Sequence, residues 1–449
     1  MVPIIFARFR LTPATYRARE YMIAKFCDLS GTIDRFVRSR LVQNVGALSL
    51  VQLTGYLVPI ITLPYLTRVL GPQEWGRVAW MQVILGYFTS LTNWGFVWSG
   101  TRKVAVLRND IPELSRVFLA GWAAQWGLCV VSIALFAGMI SLIPLFSSMH
   151  DYLIYGAVTI VAGVLFPAWL LVGLERLKEI SLIQILIRVG AVPLIIMFVN
   201  KPADGPLVVG LMALSGLVGG AASVLWMRRH LALEWHWPRP MDIASAFLDN
   251  SSTYFSNLFI DTYTSLTPVI LGVISGPVAV GHFVLADKLW RVFKSMLTTV
   301  FQALFPRLSY LFSHNCSAAI QLLLWSSLPM TAASGAVSVM LWMYARPLVQ
   351  IVGGGAFSDS VVLLQWMAPL PLVTALSSIF SILILLPNDM IRQLNLVLGA
   401  AAILSMSTVW LWILWYGEEG AAINAFLAEI LVTAGCFAFV VQWMRKETR

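Results

Sequence analysis

Charge is what this sequence has least of: 11% of its 449 residues are Asp, Glu, Lys or Arg, where soluble domains carry about a quarter. Mean hydropathy is +0.81. Long polar stretches are missing as well, which excludes a sizeable water-soluble head and the catalysis it would house. Four cysteines, Cys27, Cys129, Cys316 and Cys436, are scattered without CxxC spacing, so neither a disulfide framework nor a zinc site is expected from them. The five histidines are dispersed too. His230 and His236 sit near Pro238 and Pro240 rather than at i,i+4 on a helix, so metal-ligand spacing is absent. Gly353-Gly354-Gly355 lacks the GKS or GKT of a phosphate loop, which excludes ATP hydrolysis by this chain.

What is present is apolar sequence in runs of about 20 residues, the length that crosses a bilayer as a helix. About twelve spans are expected, near 44–69, 75–99, 117–145, 152–174, 180–199, 206–227, 250–274, 279–306, 319–344, 361–386, 394–416 and 420–443. With both termini inside, 22 of the 30 Lys and Arg fall on the cytoplasmic side, as the positive-inside rule requires. That bias accounts for most of the +9 net charge, so no nucleic-acid partner is needed to explain it. Residues 1–43 read as a basic cytoplasmic segment; Tyr21, Met22, Ile23 and Phe26 could lie against anionic headgroups, and Met22 is an alternative start.

The halves are related. Gly71-Pro72 with Gly76 recurs as Gly276-Pro277 with Gly281, and Arg102 as Arg307, all at a shift of 205 residues. The expected organisation is a six-helix lobe over 44–227, a cytoplasmic linker over 228–249, a second six-helix lobe over 250–443 and a tail over 444–449. A shift of six spans makes the lobes parallel repeats, and transporters place substrate between such lobes. Pro59, Pro64, Pro193 and Pro268 are expected to bend their helices.

An ionisable group at the bilayer centre costs about 2.5–3.5 kcal/mol, so each one inside a span needs a reason. The eighth span holds Asp287, Lys288, Arg291 and Lys294. At 100° per residue Asp287, Arg291 and Lys294 share one stripe, with Lys288 at its flank. Such a face lines a protein or aqueous interior, and its surplus of positive charge suits an anionic ligand such as a phosphate. A structural network built on an Asp287–Arg291 pair is the plainer reading. Span seven carries Asn250, Tyr254, Asn257, Asp261 and Thr264 on one face; Asp261 is a proton or sodium carrier or one half of a salt bridge. Arg188 adds a cation in span five, and Glu429 in span twelve is a further ion-coupling candidate or a partner for Asn or backbone.

The block Leu63-Pro64-Tyr65-Leu66-Thr67-Arg68-Val69-Leu70-Gly71-Pro72 resembles the Wzx-type polysaccharide flippases, as do Asn93-Trp94-Gly95-Phe96 and Thr101-Arg102. In the second half Tyr254-Phe255-Ser256-Asn257-Leu258, Val269-Ile270-Leu271-Gly272, Ala286-Asp287-Lys288-Leu289 and Phe305-Pro306-Arg307-Leu308-Ser309 extend the likeness. The resemblance implies an all-α protein of the multidrug/oligosaccharidyl-lipid/polysaccharide (MOP) exporter superfamily, with two six-helix lobes around a cationic cavity. It implies residence in the bacterial cytoplasmic (inner) membrane and a polyprenyl-pyrophosphate-linked oligosaccharide substrate, in the company of membrane lipids and of a polymerase and glycosyltransferases of the same pathway. On that reading the chain is a non-enzymatic flippase in which Arg291, Lys288, Lys294, Arg188 and Asn257 bind the head group. Asp261, Asp287 or Glu429 would couple transport to H+ or Na+, and no other cofactor is expected. A cation-coupled multidrug exporter is the alternative, and a membrane polymerase or ligase a more distant one.

Overall fold

The computed structural model describes residues 40–447; the expectations for the basic segment ahead of residue 40, Met22 included, lie outside the described residues. The described chain is all α. Its long elements are α1 (Arg40–Asn93), α3 (Ile111–Leu142), α6 (Leu177–Phe198), α7 (Gly205–His230), α8 (Pro240–His314), α9 (Cys316–Met343) and α13 (Ile391–Glu447). Shorter helices join them: α2 (Ser99–Leu107), α4 (Leu153–Leu165), α5 (Ala168–Gly173), α10 (Ala345–Gly353), α11 (Ser360–Met367) and α12 (Leu370–Ser378), which runs into a π-helical turn over Ile379–Leu385. Among the described residues eight helices are long and apolar enough to cross a membrane. Leu142, Ile154, Trp325 and Leu328 stand more than two-thirds exposed on the outside, the surface a lipid solvent requires.

Three of the helices are broken, and the breaks fall at glycine. Gly71 in α1 (φ 71°, ψ 175°) and Gly276 in α8 (φ 81°, ψ 179°) share one backbone conformation that only glycine adopts readily. Each is followed by proline, which forces the preceding residue out of helical geometry and is itself set up to start the next helix. The repeat seen in sequence is therefore a repeated break. Gly417 (φ 58°, ψ −133°) divides α13 as well, at a positive φ but with no proline after it. The expected bends at Pro59, Pro64 and Pro193 are not backbone breaks, because α1 and α6 keep helical dihedrals through all three. Pro268 lies in α8, whose one non-helical residue is Gly276. Between α7 and α8 the chain is non-helical over 231–239, within the linker expected at 228–249.

The two breaks meet in space. A Cβ at Gly76 would collide with the Pro277 carbonyl, and one at Gly281 with the Pro72 carbonyl, so the helices cross backbone on backbone. Around this crossing Trp80, Leu271, Val280 and Phe283 form one apolar core shared by both halves, with the Trp80 ring filling the space that a side chain at Gly272 would take. At this Gly71 end Thr67 Oγ1 donates to Val352 O (2.7 Å) and Arg68 Nη2 to Ile351 O (2.5 Å), sealing α1 against α10.

At the opposite, Trp94 end, the start of α8 closes on the first half. Trp94 has φ 42°, an uncommon conformation for a bulky residue. It is held there because its indole stacks between Phe247 and Tyr254 at 4.2 Å each and donates from Nε1 to Phe247 O at 2.9 Å. Ser99 donates to Asn250 Oδ1, and ion pairs Lys103–Asp249 and Arg116–Asp242, both 2.7 Å, complete the contact. Asn250 and Tyr254, part of the polar stripe expected on span seven, thus face the first half.

Candidate functional site: a charged pocket in the second half

The 277–314 arm of α8 carries its charged residues at helical spacing, and the fold turns three of them into a small pocket of about 60 Å3. Asp287, Arg291 and Lys294 line it from α8, Ser405 and Glu429 from α13, and Thr267 and Pro268 from the other α8 arm. Arg291 Nε donates to Asp287 Oδ2 at 2.6 Å. Lys294 Nζ donates to Glu429 Oε1 at 3.3 Å across to α13. The Trp290 indole joins the two pairs: its Nε1 donates to Asp287 Oδ1 at 3.0 Å, and its ring lies 5.6 Å from the Arg291 guanidinium and 5.3 Å from the Lys294 ammonium.

The acids are the buried members of these pairs. Asp287 and Glu429 are each 16% exposed, whereas Arg291 and Lys294 are 45% and 39% exposed. Two carboxylates at the back thus hold two cations at the open side, where an arriving anion meets the cations first. Among the described residues the charges of the pocket balance, two cations against two carboxylates. Both cations are already paired, so an anion that takes them needs the pairs to part.

Not every expected residue joins it. Lys288, 100° around the helix, turns to the first half, where its ammonium lies 4.8 Å from the Trp75 ring. Arg188 lines a separate cavity of about 490 Å3 inside the first half, with Gln82, Thr89 and Gln184, and a Cβ at Gly55 would fall 2.5 Å from its Nη1. The side chains of Asn257 and Asp261 lie outside the described residues. Sequence reading missed Trp290, although an indole three residues from Asp287 and one before Arg291 is the available signal. It missed Glu429 as the partner of Lys294, since nothing local links residues 135 apart.

Long apolar helices, one glycine-proline break repeated in α1 and α8, an apolar outer surface and ion pairs held inside define a multi-pass membrane protein with the architecture of a transporter. The chain belongs to the family described as polysaccharide biosynthesis protein, whose model matches residues 41–312. It is 28% identical to a protein of Escherichia coli (strain K12) named "Putative O-antigen transporter", over 89% of this chain and 96% of that one. A Shigella dysenteriae protein of the same name is 24% identical over 87% and 97%. Both relatives are named as transporters, not enzymes. Among solved structures the fold is similar to an inward-facing multidrug resistance MATE family transporter of the MOP superfamily (TM-score 0.66, 13% identity, 89% of this chain and 98% of that one). It is also similar to the lipid II flippase MurJ in an inward closed conformation (TM-score 0.65, 10% identity, 89% and 87%).

Proposed function

We propose that this protein is a flippase for surface-polysaccharide precursors. It carries polyprenyl-pyrophosphate-linked oligosaccharide from the cytoplasmic to the outer face of the bacterial cytoplasmic membrane, with both termini inside. The observation that carries the reading is the pocket: cations at its open side and acids behind them, on a chain whose relatives are named O-antigen transporters along nearly their whole length. The pyrophosphate takes Arg291 and Lys294 from Asp287 and Glu429, exchanging one set of charge-assisted hydrogen bonds for another. The released carboxylates then accept a proton or sodium ion, because a bare buried carboxylate is costly. Asp261 is a further carrier on this reading. Lys288 and Arg188, outside the pocket, contribute positive potential to the path rather than direct contacts at rest.

The Gly71 end is the outer seal and the Trp94 end the inner one. Transport is alternating access, with the lobes rocking against each other as the lipid tail stays in the bilayer. A polysaccharide polymerase and glycosyltransferases of the same pathway consume and supply the substrate.

The test is deletion of the gene with complementation. Loss should confine lipid-linked oligosaccharide to the inner face; wild type should restore both faces, and Arg291→Ala should not, although inserted at normal levels. An active Arg291→Ala protein sinks the cationic site. Unchanged glycan with raised sensitivity to organic cations indicates the multidrug alternative instead.

A further inference from the structure

A second cluster lies at the Gly71 end of the second half. His282 is on α8, just past the Gly76–Gly281 crossing; Asp359 precedes α11; Glu418 follows the Gly417 break in α13. Three separate elements thus converge on one point. The imidazole is only 7% exposed and directs Nδ1 to Glu418 Oε2 at 3.1 Å and to Asp359 Oδ2 at 3.9 Å. One ligand atom from each residue falls within 4.8 Å of the others. Phe357 packs against the ring edge to face at 5.8 Å, and Ser360 Oγ donates to the His282 main-chain carbonyl at 3.1 Å, tying the start of α11 to α8.

Two carboxylates aimed at one imidazole nitrogen is more negative charge than that nitrogen can satisfy. Like charges sharing a site raise each other's energy unless a cation lies between them. We propose that His282, Asp359 and Glu418 bind a divalent cation of the zinc class. Tetrahedral zinc with ligands at about 2.0–2.2 Å places its donor atoms roughly 3.4 Å apart. The two distances from Nδ1 bracket that value, and Asp359, two-thirds exposed, can move in. One nitrogen and two carboxylate oxygens suit zinc over calcium or magnesium, which take six or more oxygens. Three protein ligands leave a fourth position for water or a substrate group.

The repeat sharpens the assignment. At the shift of 205 residues His282 corresponds to Arg77, whose guanidinium pairs with Glu74 at 2.5 Å in the first half. That half holds a permanent charge where the second holds a ligand. A bound ion would tie the start of the α8 arm bearing Asp287 and Lys294 to the start of the α13 arm bearing Glu429. Wide separation in sequence is why no spacing motif announces the site. The inference stands apart from the flippase reading, since it concerns binding alone.

The experiment is zinc titration by calorimetry on the purified full-length chain in detergent, stripped with EDTA. One saturable zinc ion per chain is expected, with calcium unable to replace it. Asp359→Asn and Glu418→Gln should each weaken zinc about tenfold or more, as loss of a ligand's support does elsewhere. Because Asp359 is exposed, its variant should melt like wild type without metal, which separates lost binding from misfolding. Binding that does not saturate, or that is unchanged in both variants, overturns the site.

Discussion

Trp290 shows how much rests on one side chain. Its N–H orients Asp287, and its ring faces both pocket cations. A hydrogen bond to a charged group contributes about 1.5–3 kcal/mol, while the ring's attraction for cations adds about 0.5–2. Trp290→Phe keeps the ring and removes the N–H, leaving Asp287 to turn freely toward Arg291. A loss of about tenfold in transport rate is expected, with Trp290→Ala losing more. Equal activity in Trp290→Phe and wild type, measured as glycan export at matched protein level, would show that the indole N–H plays no part. At this scale the sequence was half legible. A 3.6-residue period brought Asp287, Arg291 and Lys294 onto one face, which requires only the helix itself. Glu429 and the Trp75 ring beside Lys288 required the tertiary fold, and Arg188 fell into another cavity because packing between helices, not spacing within one, decides which interior a residue reaches.

Among the elements, the three glycine breaks matter most. Gly71 and Gly276 have no neighbour within 4 Å of an added Cβ, so space is not the constraint there; dihedral angle is. Gly276→Ala should lower stability by about 1–3 kcal/mol, the cost of an L residue in that region, read as a lower melting temperature in detergent. Gly281→Ala should disturb the crossing by collision instead and impair transport. An unchanged melting temperature in Gly276→Ala would mean that the break relaxes freely. The Gly-Pro repeat was visible in the sequence, but that its two copies touch was not, because contact between repeats is a property of the fold. Proline usually disturbs a helix, yet α1, α6 and α8 keep helical dihedrals through Pro59, Pro64, Pro193 and Pro268, and the breaks in α1 and α8 fall at Gly71 and Gly276, each just ahead of a different proline.

The start of α8 makes a second kind of contact, an ion-pair latch at the Trp94 end. The Arg116 guanidinium donates to Asp242 and, with its charge, holds that carboxyl below the usual carboxylate range. A depressed carboxylate contributes stability that is present above its unfolded value, about 3.9, and is lost as pH falls through the lower folded value. The difference in melting temperature between wild type and Asp242→Asn should therefore stay constant from about pH 8 to 5 and vanish only in stronger acid. A difference that fades near neutrality would contradict the pairing.

For the whole molecule, opposite seals at the two ends are what alternating access needs. A short bismaleimide between cysteines at positions 68 and 351, in a background lacking the native cysteines, should lock the Gly71 end and stop export. A cross-linked protein that still transports would rule out opening there. The all-α fold and the membrane class could be read from hydropathy, because bilayer thickness leaves few alternatives, and the repeated break from the 205-residue shift. The charge balance of the pocket could not, since it depends on which acids the fold brings to Arg291 and Lys294.

The most direct measurement is transbilayer movement in proteoliposomes of purified protein and a polyprenyl-pyrophosphate oligosaccharide, followed by the fraction of head groups open to an external glycosidase. Wild type should make nearly the whole pool accessible over time, while Arg291→Ala should leave it at the protein-free level. Accessibility equal to protein-free vesicles with wild type, under proton and sodium gradients of either direction, would contradict the account.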